Sequence, residues 1–127
     1  MPNEGIVYVI DDDYPVRDSI CMLLESYGIR ARPFASGVTF LRDLPQEYGC
    51  LLVDVNMPGM NGLELHERLR ACGIGIPVIV MTAAPTRSIQ RAVDQAGVTL
   101  LQKPFQTGEL IACIQKALGR SRDCVDG

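Results

Sequence analysis

Residues 6–13 read IVYVIDDD. Five apolar residues, most of them β-branched, run directly into three aspartates. An unbroken apolar run of this length suits a strand buried on both faces, as in parallel sheets. Three adjacent carboxylates repel one another, and a purely structural turn gains little from that. The stretch therefore asks which positive charge stands at the end of this strand.

Working outward, three more runs look alike: CLLVDV at 50–55, PVIVMT at 77–82 and VTLL at 98–101. RARPF at 30–34 is a weaker strand, and its proline places it at an edge. Helical patterns lie between them. Val16, Ile20, Leu23, Leu24 and Tyr27 follow helical spacing, and Gly28 ends that helix. Ser36 caps a helix carrying Val38, Phe40, Leu41 and Leu44, stopped by Pro45. Asn61 precedes a helix with Leu63, Leu65 and Leu69 that ends near Gly73. Thr86 or Ser88 opens the fourth, with Ile89, Ala92, Val93 and Ala96. Thr107 opens the fifth, with Leu110, Ile111, Ile114 and Leu118. Strand and helix alternate five times, which predicts an α/β fold with a parallel sheet and helices on both faces. Ligands of such sheets sit outside the carboxyl ends of the strands.

The 127 residues suit one domain with one main core. Apolar residues make up 47% and charged residues 21%, a globular and not a disordered balance. The net charge of −3, without clustered Lys and Arg, argues against nucleic-acid binding by the domain itself. No apolar run approaches the roughly 18 residues of a membrane span. The acidic opening MPNEG leads straight into a strand and reads as a cytoplasmic start without a signal peptide. The five cysteines, odd in number and without C-x-x-C spacing, read as reduced thiols, mostly in the core, with Cys124 exposed in a polar tail over 119–127.

The strand ends carry the chemistry. Asp11, Asp12 and Asp13 follow the first strand, Asp54 ends the third, Thr82 ends the fourth, and Lys103 follows the fifth. Adjacent strands lie about 5 Å apart, so one edge gathers carboxylates, a hydroxyl and an ammonium. Carboxylates this close raise each other's pKa unless a cation neutralises them. Oxygen donors without His or Cys suit a hard ion, most simply Mg²⁺, with Mn²⁺ a second choice. Mg²⁺ keeps coordination positions for water and phosphate, so the metal invites a phosphoryl group. A carboxylate can be the nucleophile that receives it, giving an acyl phosphate. Asp54 is the candidate, because the loop after it, VNMPGMNG, exposes backbone. Lys103 would neutralise developing charge and Thr82 would donate a hydrogen bond.

These residues resemble the receiver domains of two-component response regulators. The resemblance rests on VIDDD at 9–13, LLVDVNMPGMNG at 51–62, VIVMTA at 78–83 and LLQKPF at 100–105, in the family's order and spacing. It covers about residues 5–118, and VRDSICMLLESYG looks most like the FixJ-type branch. It implies a flavodoxin-like, doubly wound (βα)5 sandwich with strand order 2-1-3-4-5. It implies Asp54 as phosphoacceptor; Asp11, Asp12, Asp54 and the Asn56 backbone carbonyl as Mg²⁺ ligands; Thr82 and Lys103 against the phosphoryl oxygens; and a cis peptide before Pro104. The donor would be a phosphohistidine of a sensor histidine kinase. The receiver would be a switch and not an enzyme, catalysing only its own phosphorylation and slow dephosphorylation. It would homodimerise through the face of the fourth helix, fifth strand and fifth helix. The FixJ-type likeness divides the chain into a receiver over 1–118 and the start of a linker over 119–127. The linker would lead to an effector domain beyond the sequence, through which alone the protein would meet DNA and control transcription.

Leu100 departs from the family, which often has an aromatic switch residue there, coupled to the threonine. Asn56 and Ala84 fall where relatives tune the lifetime of the phosphoryl group. Three other functions are weighed. A phosphatase of the haloacid dehalogenase type needs a second carboxylate two residues after the nucleophile, and Asn56 stands there instead. A phosphorylation-independent interaction module leaves the full set of Asp11, Asp12, Asp54, Thr82 and Lys103 without a purpose. A flavin site is disfavoured by carboxylates in the first loop. Singly, Asp13 reads as a cap or solvated charge. His66 reads as a solvated helix residue, Met57 and Met60 as loop packing, and Phe34 and Phe105 as core.

Overall fold

The three inner strands of the sheet split their side chains between two cores, which is why their sequences are apolar without alternation. A computed structural model describes the backbone of residues 5–57 and 59–126, and the side chains of those up to 119. The elements are β1 (Ile6–Ile10), α1 (Tyr14–Ser26), β2 (Arg30–Phe34), α2 (Gly37–Asp43), β3 (Gly49–Asp54), α3 (Gly62–Ala71), β4 (Val78–Thr82), α4 (Arg87–Ala96), β5 (Thr99–Gln102) and α5 (Thr107–Asp126). The sheet order is β2-β1-β3-β4-β5, and every pair is parallel. Both the α/β class and the strand order are as the sequence and its resemblance led us to expect.

On one face, Val7, Val9, Cys50, Leu52, Ile79, Met81 and Leu101 pack against Ile20 and Leu24 of α1 and Leu110 and Ile114 of α5. On the other, Ile6, Tyr8, Ile10, Leu51, Val53, Val78 and Val80 meet Phe40 of α2, Leu65 and Leu69 of α3 and Val93 of α4. Burying each Leu, Ile or Val stabilises the fold by about 1.5–3 kcal/mol. β2 is the exposed edge its proline predicts, with ion pairs Arg30–Glu47 and Arg32–Asp43 tying it to the α2–β3 segment.

Side chains cap three helices. Ser36 accepts the Thr39 N–H, Asn61 and Glu64 form a reciprocal capping box, and Thr86 accepts the Ile89 N–H. Asp13 holds the N-cap position of α1, but its side chain makes no capping bond.

Some local expectations change. Tyr27 is exposed, because α1 ends before it; Ile29 takes the core place instead, with its N–H on the Leu24 carbonyl. Val38 is exposed, and the short α2 buries only Gly37 and Phe40. Cys72 is exposed, Cys113 half-buried, and Cys21 and Cys50 are in the core; Cys124 lies outside the described side chains. Phe34 is buried, whereas Phe105 and His66 are half-buried. The α5 backbone stays helical to Asp126, through most of the stretch read as a polar tail. Among the described residues no helix is long and apolar enough to cross a membrane.

Candidate functional site

Two glycines allow close backbone approaches at the two ends of β3, Gly62 at its carboxyl end and Gly49 at its start. A Cβ on Gly62 would stand 2.9 Å from Val53 Cγ1 and 3.2 Å from the Asp54 carbonyl, so the loop returns directly over Asp54. At the opposite end, a Cβ on Gly49 would lie 1.8 Å from the Ile6 carbonyl. The register of β3 against β1 therefore depends on glycine. That register sets Val53 beside Ile10, and one residue further Asp54 and Asp11 leave the sheet side by side.

Asp11 is 1% exposed. Its N–H donates to the Phe34 carbonyl (3.2 Å), its carbonyl accepts Arg17 Nη1 (2.6 Å), and its Oδ1 accepts the Asp13 N–H (2.9 Å). Its Oδ2 is buried without a hydrogen-bond partner, 3.8 Å from Lys103 Nζ. Burial pushes the Asp11 pKa above the ordinary carboxylate value. Asp54 and Asp12 add to that, against the Asp13 N–H and the Lys103 ammonium.

Asp54 is 9% exposed. Its Oδ1 accepts the Asn56 N–H (2.8 Å), and its Oδ2 accepts Lys103 Nζ (2.7 Å). Thr82 is fully buried at the end of β4. Its hydroxyl oxygen accepts the Ala84 N–H (3.2 Å), and its carbonyl accepts the Lys103 N–H (2.8 Å). The Lys103–Pro104 peptide is cis.

Asp11, Asp54 and Lys103 thus form one ionic cluster, and Thr82 joins it through the backbone. Asp12 and Asn56 are exposed beside it. Leu100 lies away from the cluster, half-buried with the α2–α3–α4 core and paired with Val80. Pro58 of the loop after Asp54 lies outside the described residues. Arg17 was passed over in the sequence; its signal was a basic residue one turn into the helix that follows the acidic loop.

Among the described residues no three acidic, His or Cys side chains converge enough to form a metal cage alone. Mg²⁺ does not require one, because it binds through one or two carboxylates and keeps waters. The unpartnered, buried Asp11 Oδ2 and the oxygen-only donors beside it fit such an ion.

Compared with known protein families, residues 7–115 match the response regulator receiver domain. The chain belongs to that family. The receiver is 40% identical over 125 residues to the transcriptional regulatory protein FixJ of Azorhizobium caulinodans, covering 97% of this chain and 59% of that protein. It therefore spans less than two thirds of that relative. The crystal structure of full-length FixJ from B. japonicum superposes with a TM-score of 0.87 at 34% identity, covering 98% of the receiver and 62% of that chain. The receiver domain of a sensor histidine kinase from Pseudomonas aeruginosa superposes with a TM-score of 0.79 at 28% identity. That match covers 91% of this chain and 98% of that one, which has a magnesium ion coordinated in its active-site cleft. The FixJ-type likeness read from the sequence agrees with these matches.

Proposed function

We propose that Asp54 accepts a phosphoryl group from a phosphohistidine of a sensor histidine kinase, and that the resulting acyl phosphate switches the receiver between two states. The observation that carries this is the Lys103 ammonium on Asp54 Oδ2, beside the buried, unpartnered Asp11 Oδ2. An Asp54 carboxylate oxygen attacks phosphorus and forms the O–P bond. The P–N bond of the donor breaks, and the imidazole nitrogen keeps its electron pair and takes a proton from solvent. Lys103 follows the negative charge onto the phosphoryl oxygens. The Thr82 hydroxyl oxygen already accepts from Ala84, so its own proton is available to a phosphoryl oxygen. Asp11, Asp12, Asp54 and the Asn56 carbonyl would hold Mg²⁺, which when bound supplies positive charge against those oxygens. Mn²⁺ would serve similarly. The same site catalyses slow loss of the phosphoryl group to water.

The switch would run from Thr82 to the half-buried Leu100 beside α4, through the rotamer of an aliphatic side chain. The α4–β5–α5 face would then change its pairing with a second copy. Output would be transcription, through a DNA-binding domain linked after a receiver of about residues 1–118, in the cytoplasm. Support for this comes from relatives named as transcriptional regulatory proteins.

Intact mass after incubation with acetyl phosphate tests the chemistry. The expected result is a Mg²⁺-dependent gain of one phosphoryl group, labile to hydroxylamine and absent in Asp54→Asn. No gain in the wild type refutes the phosphoacceptor reading and favours an interaction module. A gain in Asp54→Asn as well means that another residue is the acceptor.

A further inference from the structure

Arg17 stands where helix electrostatics disfavour it. It lies at the end of the first turn of α1, near the positive end of the helix dipole, where acidic residues are preferred and none is present. A basic residue in that place needs a compensating partner, and it has one. Its Nη1 donates at 2.6 Å to the carbonyl of Asp11, a residue with almost no access to water. Its guanidinium carbon lies 5.3 Å from the centroid of the Tyr14 ring, and its own N–H donates to the Asp13 carbonyl at 2.9 Å.

The consequence falls on Asp11. Asp11 has four polar groups, and three are tied: the N–H to Phe34, the carbonyl to Arg17 and Oδ1 to the Asp13 N–H. The fourth, Oδ2, is buried without a hydrogen-bond partner, with the Lys103 ammonium 3.8 Å away. Of these anchors the Arg17 bond alone comes from the side chain of another residue, so it is the one that a substitution can remove without changing Asp11 itself.

We propose that Arg17 is a positioning residue of the acidic loop, holding the Asp11 carbonyl so that the Asp11 and Asp12 carboxylates are preorganised for a divalent cation. This rests on the Mg²⁺ reading above. The role has an unusual sign. Arg17 carries a positive charge close to a cation site, so electrostatics alone makes its removal tighten Mg²⁺ binding. Loss of a positioning bond makes removal weaken it, and partners behind metal ligands are typically worth about 10–100-fold in affinity.

The test is titration with MgCl₂, without any phosphodonor, followed by amide NMR shifts of residues 11–13 in wild type, Arg17→Met and Arg17→Lys. Thermal melting confirms that each variant is folded. Arg17→Met is expected to weaken Mg²⁺ binding about tenfold or more and to speed hydrogen exchange of the Asp13 amide. Arg17→Lys keeps a donor but loses the planar fork, and is expected to fall between Arg17→Met and wild type. Equal or tighter binding by Arg17→Met overturns the inference and leaves the proposed function standing. If Arg17→Met does not fold, Arg17→Lys decides: weaker binding than wild type supports the role, and equal binding overturns it. A wild type that binds no Mg²⁺ at millimolar concentration overturns the Mg²⁺ reading and this inference together.

Discussion

The Lys103 ammonium donates to Asp54 Oδ2 at 2.7 Å, although 49 positions separate the two residues. The β5–α5 segment reaches past the end of β4 to the end of β3, and the bond from the Lys103 N–H to the Thr82 carbonyl holds that path. One ammonium then stands against two carboxylates, Asp54 directly and Asp11 at 3.8 Å. This is one positive charge that Asp11, the first of the three aspartates, faces, and it comes from the far end of the sheet.

Lys103→Met keeps most of the stem and removes the charge. Acetyl phosphate labelling of Asp54, followed by mass at saturating Mg²⁺, is expected to slow by about a hundredfold or more. Without the ammonium, Asp11 loses a positive charge that holds its raised pKa down, so it gains a proton more readily in the folded state. The variant should therefore lose stability at neutral pH and recover part of it as pH falls. An unchanged labelling rate would remove Lys103 from the chemistry.

Asp11→Asn should stabilise the metal-free protein by on the order of 1 kcal/mol at neutral pH. The amide oxygen can still accept the Asp13 N–H, and the burial of an ionised oxygen is relieved. The native Asp11 pKa is raised above its ordinary 3.8, chiefly by burial. Ionised Asp11 therefore penalises the fold fully above the raised value, and not at all below 3.8, where the carboxyl is protonated folded or unfolded. The advantage of the variant should open between these two values. Urea unfolding in EDTA across that range measures it, and the same variant should bind Mg²⁺ more weakly.

Tyr8→Phe isolates one buried hydroxyl far from the site. Tyr8 donates to the Glu47 carbonyl at 2.6 Å, with its ring tilted against Phe40 and Phe34. Losing the donor should cost about 1 kcal/mol and leave labelling of Asp54 unchanged. In the wild type, burial raises the Tyr8 phenol pKa above its ordinary 10, so Tyr8 phenolate absorbance should appear at higher pH than that of a free tyrosine side chain. A slowed labelling reaction would link β1 packing to the site.

The strands were legible because both faces of the sheet are covered. Ile6 to Ile10 send alternate side chains into two cores, so no polar residue interrupts them. The strand-end residues were legible because topology alone puts them on one edge. Asp13 was legible as a cap or solvated charge, but the difference between Asp11 and Asp12 was not. The sequence presents these two as equal carboxylates, yet the chain leaves the sheet at Ile10 and reaches the α1 cap at Asp13. That turn buries Asp11 and leaves Asp12 and Asp13 in solvent. Val38 and Tyr27 misled because helical spacing predicts a face but not how much of a short or ending helix touches the core. Arg17 escaped because its partner is a backbone carbonyl, which no residue pattern records.

Gly49 gives the sharpest steric prediction. It begins β3 and pairs with Ile6, and a Cβ there would stand 1.8 Å from the Ile6 carbonyl oxygen and 2.8 Å from its carbon. Both are backbone atoms of the neighbouring strand β1, so no side chain can move aside to relieve the clash. Gly49→Ala must push β1 and β3 apart at one end, where the Ile6 N–H also holds the Tyr48 carbonyl. The expected loss is at least about 3 kcal/mol, the upper end for overpacked interiors. Gly75→Ala is the matched control. Gly75 precedes β4 on the surface, with nothing within 4 Å of its Cβ position and no positive φ, so the change should lie within about 0.5 kcal/mol. Denaturant unfolding of the two variants decides the matter. Equal stabilities would mean that the β1–β3 register does not depend on glycine at this position. The large difference expected would tie the placement of Asp11 beside Asp54 to a residue at the far end of the strand.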